Sequence, residues 1–138
     1  MSEGVTGLSH VGVAVRDLDA AERAYRALGA RLEGRERVES EGITVSFVVL
    51  GGVRIELLEP LDPEAQGGVA RFLRERGGGV HHLALEADDL GGALGALASE
   101  GIKPIGGGAR PGAEGRQVAF LHPRDTGGVL IELCEVKR

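Results

Sequence analysis

The chain has no tryptophan and only one cysteine, Cys134, and aromatic residues make up 3% of it. A single cysteine excludes an intramolecular disulfide framework and a zinc site built from several thiolates. A bound metal would therefore need histidine and carboxylate ligands. The scarcity of aromatic rings, together with a formal net charge of −5 and no basic stripe, argues against nucleic acid as a partner.

Long apolar stretches are also missing. No run approaches the about 20 residues that cross a bilayer, and the N-terminal MSEGVTGLSH lacks the basic segment and apolar core of a signal peptide. With 42% hydrophobic and 27% charged residues, the composition is that of an ordinary globular domain. We therefore expect a cytoplasmic protein that does not contact a membrane.

An internal repeat organises the sequence. HVGVAVRDL, which begins at His10, aligns with HLALEADDL, which begins at His82. Farther along, GGVRIELLE aligns with GGVLIELCE, so that Glu56 corresponds to Glu132. Of the adjacent histidines His81 and His82, only His82 aligns with His10. We therefore expect His81 to have a structural packing role.

Each repeat predicts the same module, β-α-β-β-β. An alternating strand leads through an Asp N-cap into a helix that ends at a glycine, and three further strands follow, of which the last two are adjacent in the sheet. The predicted elements are strand 10–15, helix 19–28 and strands 30–38, 43–50 and 53–58 in the first module, and strand 82–87, helix 90–100 and strands 102–106, 118–121 and 129–135 in the second.

The sequence thus predicts an α+β fold of two βαβββ modules related by a pseudo-twofold axis, with mixed sheets that curl around a metal-containing cleft. We expect residues 1–138 to form a single domain. Module one covers about 7–60, a linker with a short helix at 69–74 covers about 61–79, and module two covers about 80–138.

Two histidines and two glutamates occupy equivalent positions in the modules: His10, His82, Glu56 and Glu132. A pseudo-twofold axis brings equivalent positions together. Each glutamate stands between apolar neighbours in a β-forming strand, where an unpaired buried carboxylate is costly. We predict that the four side chains bind one divalent cation, Co²⁺, Mn²⁺, Ni²⁺, Fe²⁺ or Zn²⁺.

Other polar residues receive weaker assignments. Glu59 and Glu135 also correspond in the repeat, and we expect them at strand ends or in solvent. His122, in FLHPRD, either has a structural role or lines a substrate pocket. Cys134 lacks a second thiol and is expected to pack in the interior.

These motifs resemble the vicinal-oxygen-chelate superfamily, which includes glyoxalase I, extradiol dioxygenases, fosfomycin-resistance enzymes and metal-free bleomycin-binding proteins. LSHVGVAVRDLDAAERAY, GGGVHHLALE and FLHPRDTGGVLIEL are similar in particular to methylmalonyl-CoA epimerases. The resemblance covers nearly the whole chain. It implies a homodimeric isomerase of propionate metabolism that interconverts (2R)- and (2S)-methylmalonyl-CoA through a metal-stabilised enolate, with the ligands at His10, Glu56, His82 and Glu132.

Glu132 and Glu56 are the predicted bases, one removing the C2 proton while the other donates. Some family members have a carboxylate at the position that aligns with Val45, which cannot move a proton. Glu41 or a water molecule at the metal is the alternative to Glu56. The phosphates of the acyl-CoA substrate need a local cation. The candidates are Lys103, Arg110, Arg116 and Arg124.

Two other functions stay open at this point. One is a glyoxalase I-type lyase, which has similar site chemistry, and the other is a metal-free small-molecule binding or resistance protein. An extradiol dioxygenase is disfavoured because Glu56 fills a fourth ligand position. A related thioester such as ethylmalonyl-CoA remains possible as a second substrate.

Overall fold

The computed structural model describes residues 4–136, which divide into two compact units. The first unit contains residues 10–81, and the second contains residues 4–9 together with 82–136. Within the described residues, no helix is long and apolar enough to cross a membrane.

The first unit is a four-stranded mixed sheet with a helix packed on one face. Its strand order is β2-β3-β4-β1, in which β1 runs parallel to β4 and the other neighbours are antiparallel. The elements are β1 (Val5–Ala14, of which residues 10–14 belong to this unit), α1 (Leu18–Ala27), β2 (Arg31–Val38), β3 (Ile43–Leu50), β4 (Val53–Pro60) and α2 (Gly68–Arg76).

The second unit repeats this arrangement. Its strand order is β5-β8-β7-β6, and β5 runs parallel to β8. The elements are β5 (Gly79–Ala87, of which residues 82–87 belong to this unit), α3 (Leu90–Ser99), β6 (Arg110–Pro111), β7 (Gln117–Leu121) and β8 (Ile131–Glu135). The predicted α+β class and the βαβββ order of both modules are confirmed.

The ends of the two long helices follow from local sequence. Asp17 and Asp89 are the N-caps, and each side chain accepts a hydrogen bond of 3.0 Å from a backbone N–H of the first helical turn. Gly29 and Gly101 follow the helices with φ of +103° and +81°, a region that favours glycine. Both helix starts and both helix stops were therefore readable from the sequence.

Each helix covers an apolar face of its own sheet. Leu18 and Leu57 anchor the cluster in the first unit, and their repeat equivalents Leu90 and Leu133 anchor the cluster in the second. All four side chains are almost completely buried, so that truncating any one to alanine would cost about 2–5 kcal/mol. The opposite face of each sheet is left to carry the polar residues.

The predicted strand at 102–106 is wrong. A 3-10 turn at Ile105–Gly107 stands there instead, and the edge strand is the two-residue β6. Pro104 has no N–H for a strand ladder, and the three glycines 106–108 have no side chains to pack. Other bounds differ less: β1 begins five residues before the predicted start, β8 begins two residues later, and the linker helix is longer at both ends.

Candidate metal-binding site

The strand register places each predicted histidine beside its glutamate. Gly12 in β1 pairs with Glu56 in β4, and because side chains alternate along a strand, His10 lies on the same face as Glu56. In the second unit, Ala84 in β5 pairs with Glu132 in β8, which puts His82 on the face of Glu132. We call this the site face of each unit; it is opposite to the face that packs against α1 or α3.

The side chains of each pair are in direct contact. His10 Nδ1 lies 3.3 Å from Glu56 Oε2, and His82 Nε2 lies 2.9 Å from Glu132 Oε1. All four residues are buried, and Glu132, the most exposed of them, is only 8% exposed. Groups of this kind are retained in a protein interior only when they are paired or bind a metal.

The donor atoms have the spacing expected for ligands of one cation. Two donors that are each about 2.0–2.1 Å from the same ion lie roughly 2.8–3.4 Å apart, the shorter value in octahedral and the longer in tetrahedral geometry. The measured separations of 3.3 and 2.9 Å agree with this spacing. Each pair therefore fits two ligands of a divalent metal, and the joint coordination of one ion by all four side chains stays a prediction.

In the first unit, an aromatic ring and a cation flank the glutamate. Phe47 in β3 pairs with Glu56, and the Arg54 guanidinium lies 4.6 Å from the centre of the Phe47 ring. Arg54 Nε is also 3.9 Å from Glu56 Oε2, so its positive charge lies within ion-pair distance of that carboxylate. Val45, two residues before Phe47 on the same strand, is 1% exposed.

The second unit also has an aromatic ring and a cation near its glutamate, but here the cation belongs to a different strand. Phe120 in β7 pairs with Glu132, and its ring meets the His82 ring edge-on at 6.0 Å between centres. The Arg110 guanidinium, from β6, lies 4.9 Å from the centre of the Phe120 ring. The site face of this unit is therefore a series of contacts from Glu132 through His82 and Phe120 to Arg110.

Sequence reasoning missed the two phenylalanines, although the repeat contained a signal for them. Val45-Ser46-Phe47 and Val118-Ala119-Phe120 share the pattern Val-x-Phe and hold equivalent places in β3 and β7. An alignment of these strands would have marked the two rings as equivalent, but their place beside the glutamates depends on the strand register. Arg54 had no comparable signal, because Leu130 stands at its repeat position.

The remaining sequence candidates are two histidines and the cysteine. His81 packs edge-on against Phe72, at 5.0 Å between ring centres, in agreement with the structural role expected for it. His122 is exposed, and its Nδ1 accepts a hydrogen bond of 3.1 Å from the Arg124 N–H at the Pro123–Asp125 turn. This contact gives His122 a structural role, and its contact with substrate stays a prediction. Cys134 is buried, as expected.

Glu59 and Glu135 lie at the ends of β4 and β8, as expected, and there they also cap helices. Glu59 Oε2 accepts a hydrogen bond of 2.9 Å from the Leu18 N–H, and Glu135 Oε2 accepts one of 3.2 Å from the Leu90 N–H. Each glutamate therefore satisfies a backbone donor at the start of a helix, where the helix dipole favours negative charge.

The remaining predicted charged groups differ in exposure. Lys103 and Arg124 are exposed, whereas Arg110 and Arg116 are half-buried. Glu41, the alternative base, is half-buried in the 3-10 turn Glu39–Glu41 that precedes β3.

Comparisons with known proteins agree on one family. The model of the glyoxalase/bleomycin resistance protein/dioxygenase superfamily matches residues 9–120. The chain is 40% identical to the ethylmalonyl-CoA/methylmalonyl-CoA epimerase of Cereibacter sphaeroides, over 94% of this chain and 97% of that protein. Its fold is similar to the crystal structure of methylmalonyl-CoA epimerase from Mycobacterium tuberculosis, with a TM-score of 0.89 and 38% identity over 100% of this chain and 93% of that one.

A further structural relative was solved with a ligand. It is a variant of the Streptomyces coelicolor methylmalonyl-CoA epimerase in complex with 2-nitronate-propionyl-CoA. Its TM-score is 0.89 and its identity is 30%, over 98% of this chain and 100% of that chain.

Proposed function

Because this chain belongs to the glyoxalase/bleomycin resistance protein/dioxygenase superfamily, we propose that it is the epimerase that interconverts (2R)- and (2S)-methylmalonyl-CoA. The observation that carries the proposal is the 40% identity to the Cereibacter sphaeroides epimerase over almost the full length of both chains. The duplicated His–Glu pair supports it, because epimerisation needs buried groups that bind and move protons.

We further propose that His10, Glu56, His82 and Glu132 hold a divalent cation, one of Co²⁺, Mn²⁺, Ni²⁺, Fe²⁺ or Zn²⁺. A cation held by these residues would supply Lewis acidity, which would make the C2 proton of the acyl group easier to remove. Each imidazole nitrogen lies within 3.3 Å of an oxygen of its glutamate, so both donor atoms of a pair can reach the same ion. Burial of the four groups also keeps bulk water away from them.

Inversion at C2 requires one group that takes the proton and a second that returns one to the opposite face. We assign these roles to Glu132 and Glu56, the repeat-related carboxylates of the two site faces. Val45 is apolar and buried, so it has no part in proton transfer. Glu41 is the alternative to Glu56.

The test is proton NMR of a single epimer of methylmalonyl-CoA in D₂O with the purified protein. We expect the C2 proton signal to disappear while the second epimer forms, and we expect a chelator to stop both processes and added divalent metal to restore them. If protein that contains metal shows neither exchange of the C2 proton nor formation of the second epimer, the proposal is refuted. Turnover of methylglyoxal with a thiol would then identify a glyoxalase, and absence of both reactions and of metal would identify a binding protein.

A second substrate is suggested by the Cereibacter sphaeroides relative, whose name includes ethylmalonyl-CoA. The same NMR experiment with ethylmalonyl-CoA measures the effect of one additional methylene on the reaction rate. In a hydrophobic pocket, one methylene changes the discrimination between two substrates by about 1–3 kcal/mol. From the family resemblance we also propose a homodimer located in the cytoplasm. Light scattering after size-exclusion chromatography tests the dimer directly.

A further inference from the structure

We propose that Arg116 binds an oxyanion of the acyl-CoA substrate, which is either the carboxylate of the acyl group or a phosphate of coenzyme A. This inference rests on the proposed function and gives it a residue that recognises the substrate. It starts from the Arg116 side chain, which is half-buried and whose Nε is buried without a hydrogen-bond partner among the described residues. Within residues 4–136, neither an ion pair nor an aromatic ring holds its guanidinium.

The strand geometry puts Arg116 on the site face of the second unit. Its backbone is extended, with φ of −82° and ψ of 151°, so the alternation of side chains along β7 continues back to it. Val118 and Phe120 share this face and belong to the apolar cluster on it, whereas the intervening Ala119 belongs to the cluster beneath α3. Arg116 is therefore on the same side of the sheet as Glu132, which pairs with Phe120.

A tight turn fixes the backbone of Arg116. The Arg116 N–H donates a hydrogen bond of 3.3 Å to the Ala113 carbonyl, and the Arg116 carbonyl accepts one of 2.9 Å from the Gly112 N–H. Between them, Glu114 has a φ of +60°, a left-handed conformation that residues other than glycine seldom adopt. Such conformations persist only where the surrounding structure holds them, and they are concentrated at functional sites. The turn therefore presents the Arg116 side chain from a fixed backbone, which reduces the entropy lost on binding.

On this site face, an apolar surface separates the cation from the proposed base. Phe120, which pairs with Glu132, is four residues from Arg116, or about 13 Å along the strand. Val118 and Cys134, which pair with each other, lie between them and are almost completely buried. An acyl-CoA combines an acidic C–H group, aliphatic carbons and oxyanions, so it can meet all three parts of this face.

A half-buried arginine is well suited to bind an oxyanion. The N–H donors of its guanidinium lie in one plane, and a carboxylate or a phosphate accepts two of them side by side. The charge on both partners strengthens these bonds, and partial burial reduces their screening by salt. A buried Nε–H that has no acceptor costs free energy, and a bound oxyanion supplies that acceptor.

Three other cations that the sequence suggested for substrate binding have different surroundings. The Arg110 guanidinium lies 4.9 Å from the centre of the Phe120 ring, so an aromatic ring already covers one of its faces. Lys103 and Arg124 are exposed to solvent, where a single ion pair contributes little. The combination of partial burial and a buried donor without a partner therefore favours Arg116.

Isothermal titration calorimetry with three ligands tests the proposal. Malonyl-CoA has both kinds of oxyanion, propionyl-CoA has only the phosphates, and malonyl-pantetheine has only the carboxylate. For Arg116→Gln we expect malonyl-CoA to bind about 10- to 100-fold more weakly than it binds the wild type. Arg116→Lys keeps the charge but loses the paired planar donors, so we expect a smaller loss.

The two partial ligands identify which oxyanion Arg116 binds. If Arg116→Gln binds malonyl-pantetheine more weakly while propionyl-CoA stays within about threefold of its wild-type affinity, the partner is the carboxylate. The reverse pattern identifies a phosphate. Arg23→Gln, an equal charge change at an exposed residue of α1, is the matched control and should bind all three ligands like the wild type.

The proposal is overturned if Arg116→Gln binds malonyl-CoA like the wild type. It is also overturned if all three ligands weaken equally, because they share only the thioester and the pantetheine arm. Circular dichroism verifies that each variant is folded, and if Arg116→Gln does not fold, the same comparison with Arg116→Lys decides. Epimerisation by the wild type is measured separately: if it occurs while Arg116→Gln binds like the wild type, only this proposal fails, and if it does not occur while Arg116→Gln loses affinity for one oxyanion, only the epimerase proposal fails.

Discussion

Glu59 Oε2 accepts a hydrogen bond of 2.9 Å from the backbone N–H of Leu18, which joins strand β4 to the first turn of helix α1. Glu59 is three residues after Glu56 on the same strand, so the two carboxylates point to opposite faces of the sheet. Glu56 lies on the site face, whereas Glu59 caps the helix on the other. The same division holds for Glu132 and Glu135 in the second unit.

The capping contact predicts a measurable loss of stability. Glu59→Ala removes the acceptor at a helix N-terminus and should lower the free energy of unfolding by about 1 kcal/mol. Glu59→Gln, which keeps an acceptor oxygen but loses the charge, is the control and should lower it less. Urea denaturation of both variants gives the comparison, and an alanine variant as stable as the wild type would contradict the capping role.

The face of the first unit that packs against α1 has a buried hydroxyl whose removal should also be costly. Ser46 is completely buried, and its Oγ donates a hydrogen bond of 2.6 Å to Glu22 Oε2. Because a hydrogen bond to a charged group contributes about 1.5–3 kcal/mol, Ser46→Ala should lower the free energy of unfolding by roughly that amount. Thermal denaturation near neutral pH measures it; a change within about 0.5 kcal/mol of zero would show that Arg35 alone satisfies Glu22.

The carboxyl group of Glu22 should make the stability of the protein depend on pH in the acid range. Hydrogen bonds from Arg35 lower the pKa of Glu22 below its ordinary value of 4.5, because they favour the ionised form. This contribution to stability is fully present above pH 4.5 and is lost as the pH falls through the lower pKa of the folded protein. We expect the difference in unfolding free energy between the wild type and Glu22→Gln to shrink below pH 4.5; a constant difference would contradict the assignment.

The adjacent histidines allow a matched test of metal binding. His82→Ala removes a proposed ligand. Loss of a group that only supports a ligand weakens metal binding about 10- to 100-fold, and we expect a larger loss when the ligand itself is removed. His81→Ala removes a ring that packs on Phe72 and should keep the metal content of the wild type. Metal analysis of the purified variants by mass spectrometry distinguishes them, and equal losses would show that the repeat selected the wrong histidine.

The proposed bases predict a separation between metal binding and catalysis. Glu132→Gln keeps an oxygen that can ligate metal but cannot take a proton at neutral pH, so exchange of the C2 proton with D₂O should fall by about 10²–10⁴-fold. Metal content measured on the same sample verifies that the ligand set is intact. Exchange at the wild-type rate would exclude Glu132 as a base.

The sequence predicted most of the fold because its signals are local. The Asp N-caps at Asp17 and Asp89 and the glycines at 29 and 101 act within one helical turn, so they were correctly identified without any knowledge of distant contacts. The predicted strand at 102–106 failed because Pro104 and the glycines after it cannot complete or pack a ladder. The register between distant strands pairs Glu132 with both Ala84 and Phe120, and no local pattern specifies it.

By itself, the sequence determined which residues repeat and which strand face each one occupies, because side chains alternate with a period of two. It therefore singled out His10, Glu56, His82 and Glu132. Only the tertiary structure decided which groups those side chains contact: that Glu59 caps a helix and that Arg110 lies on the ring beside His82. These contacts join residues far apart in sequence, and they depend on how strands and helices pack.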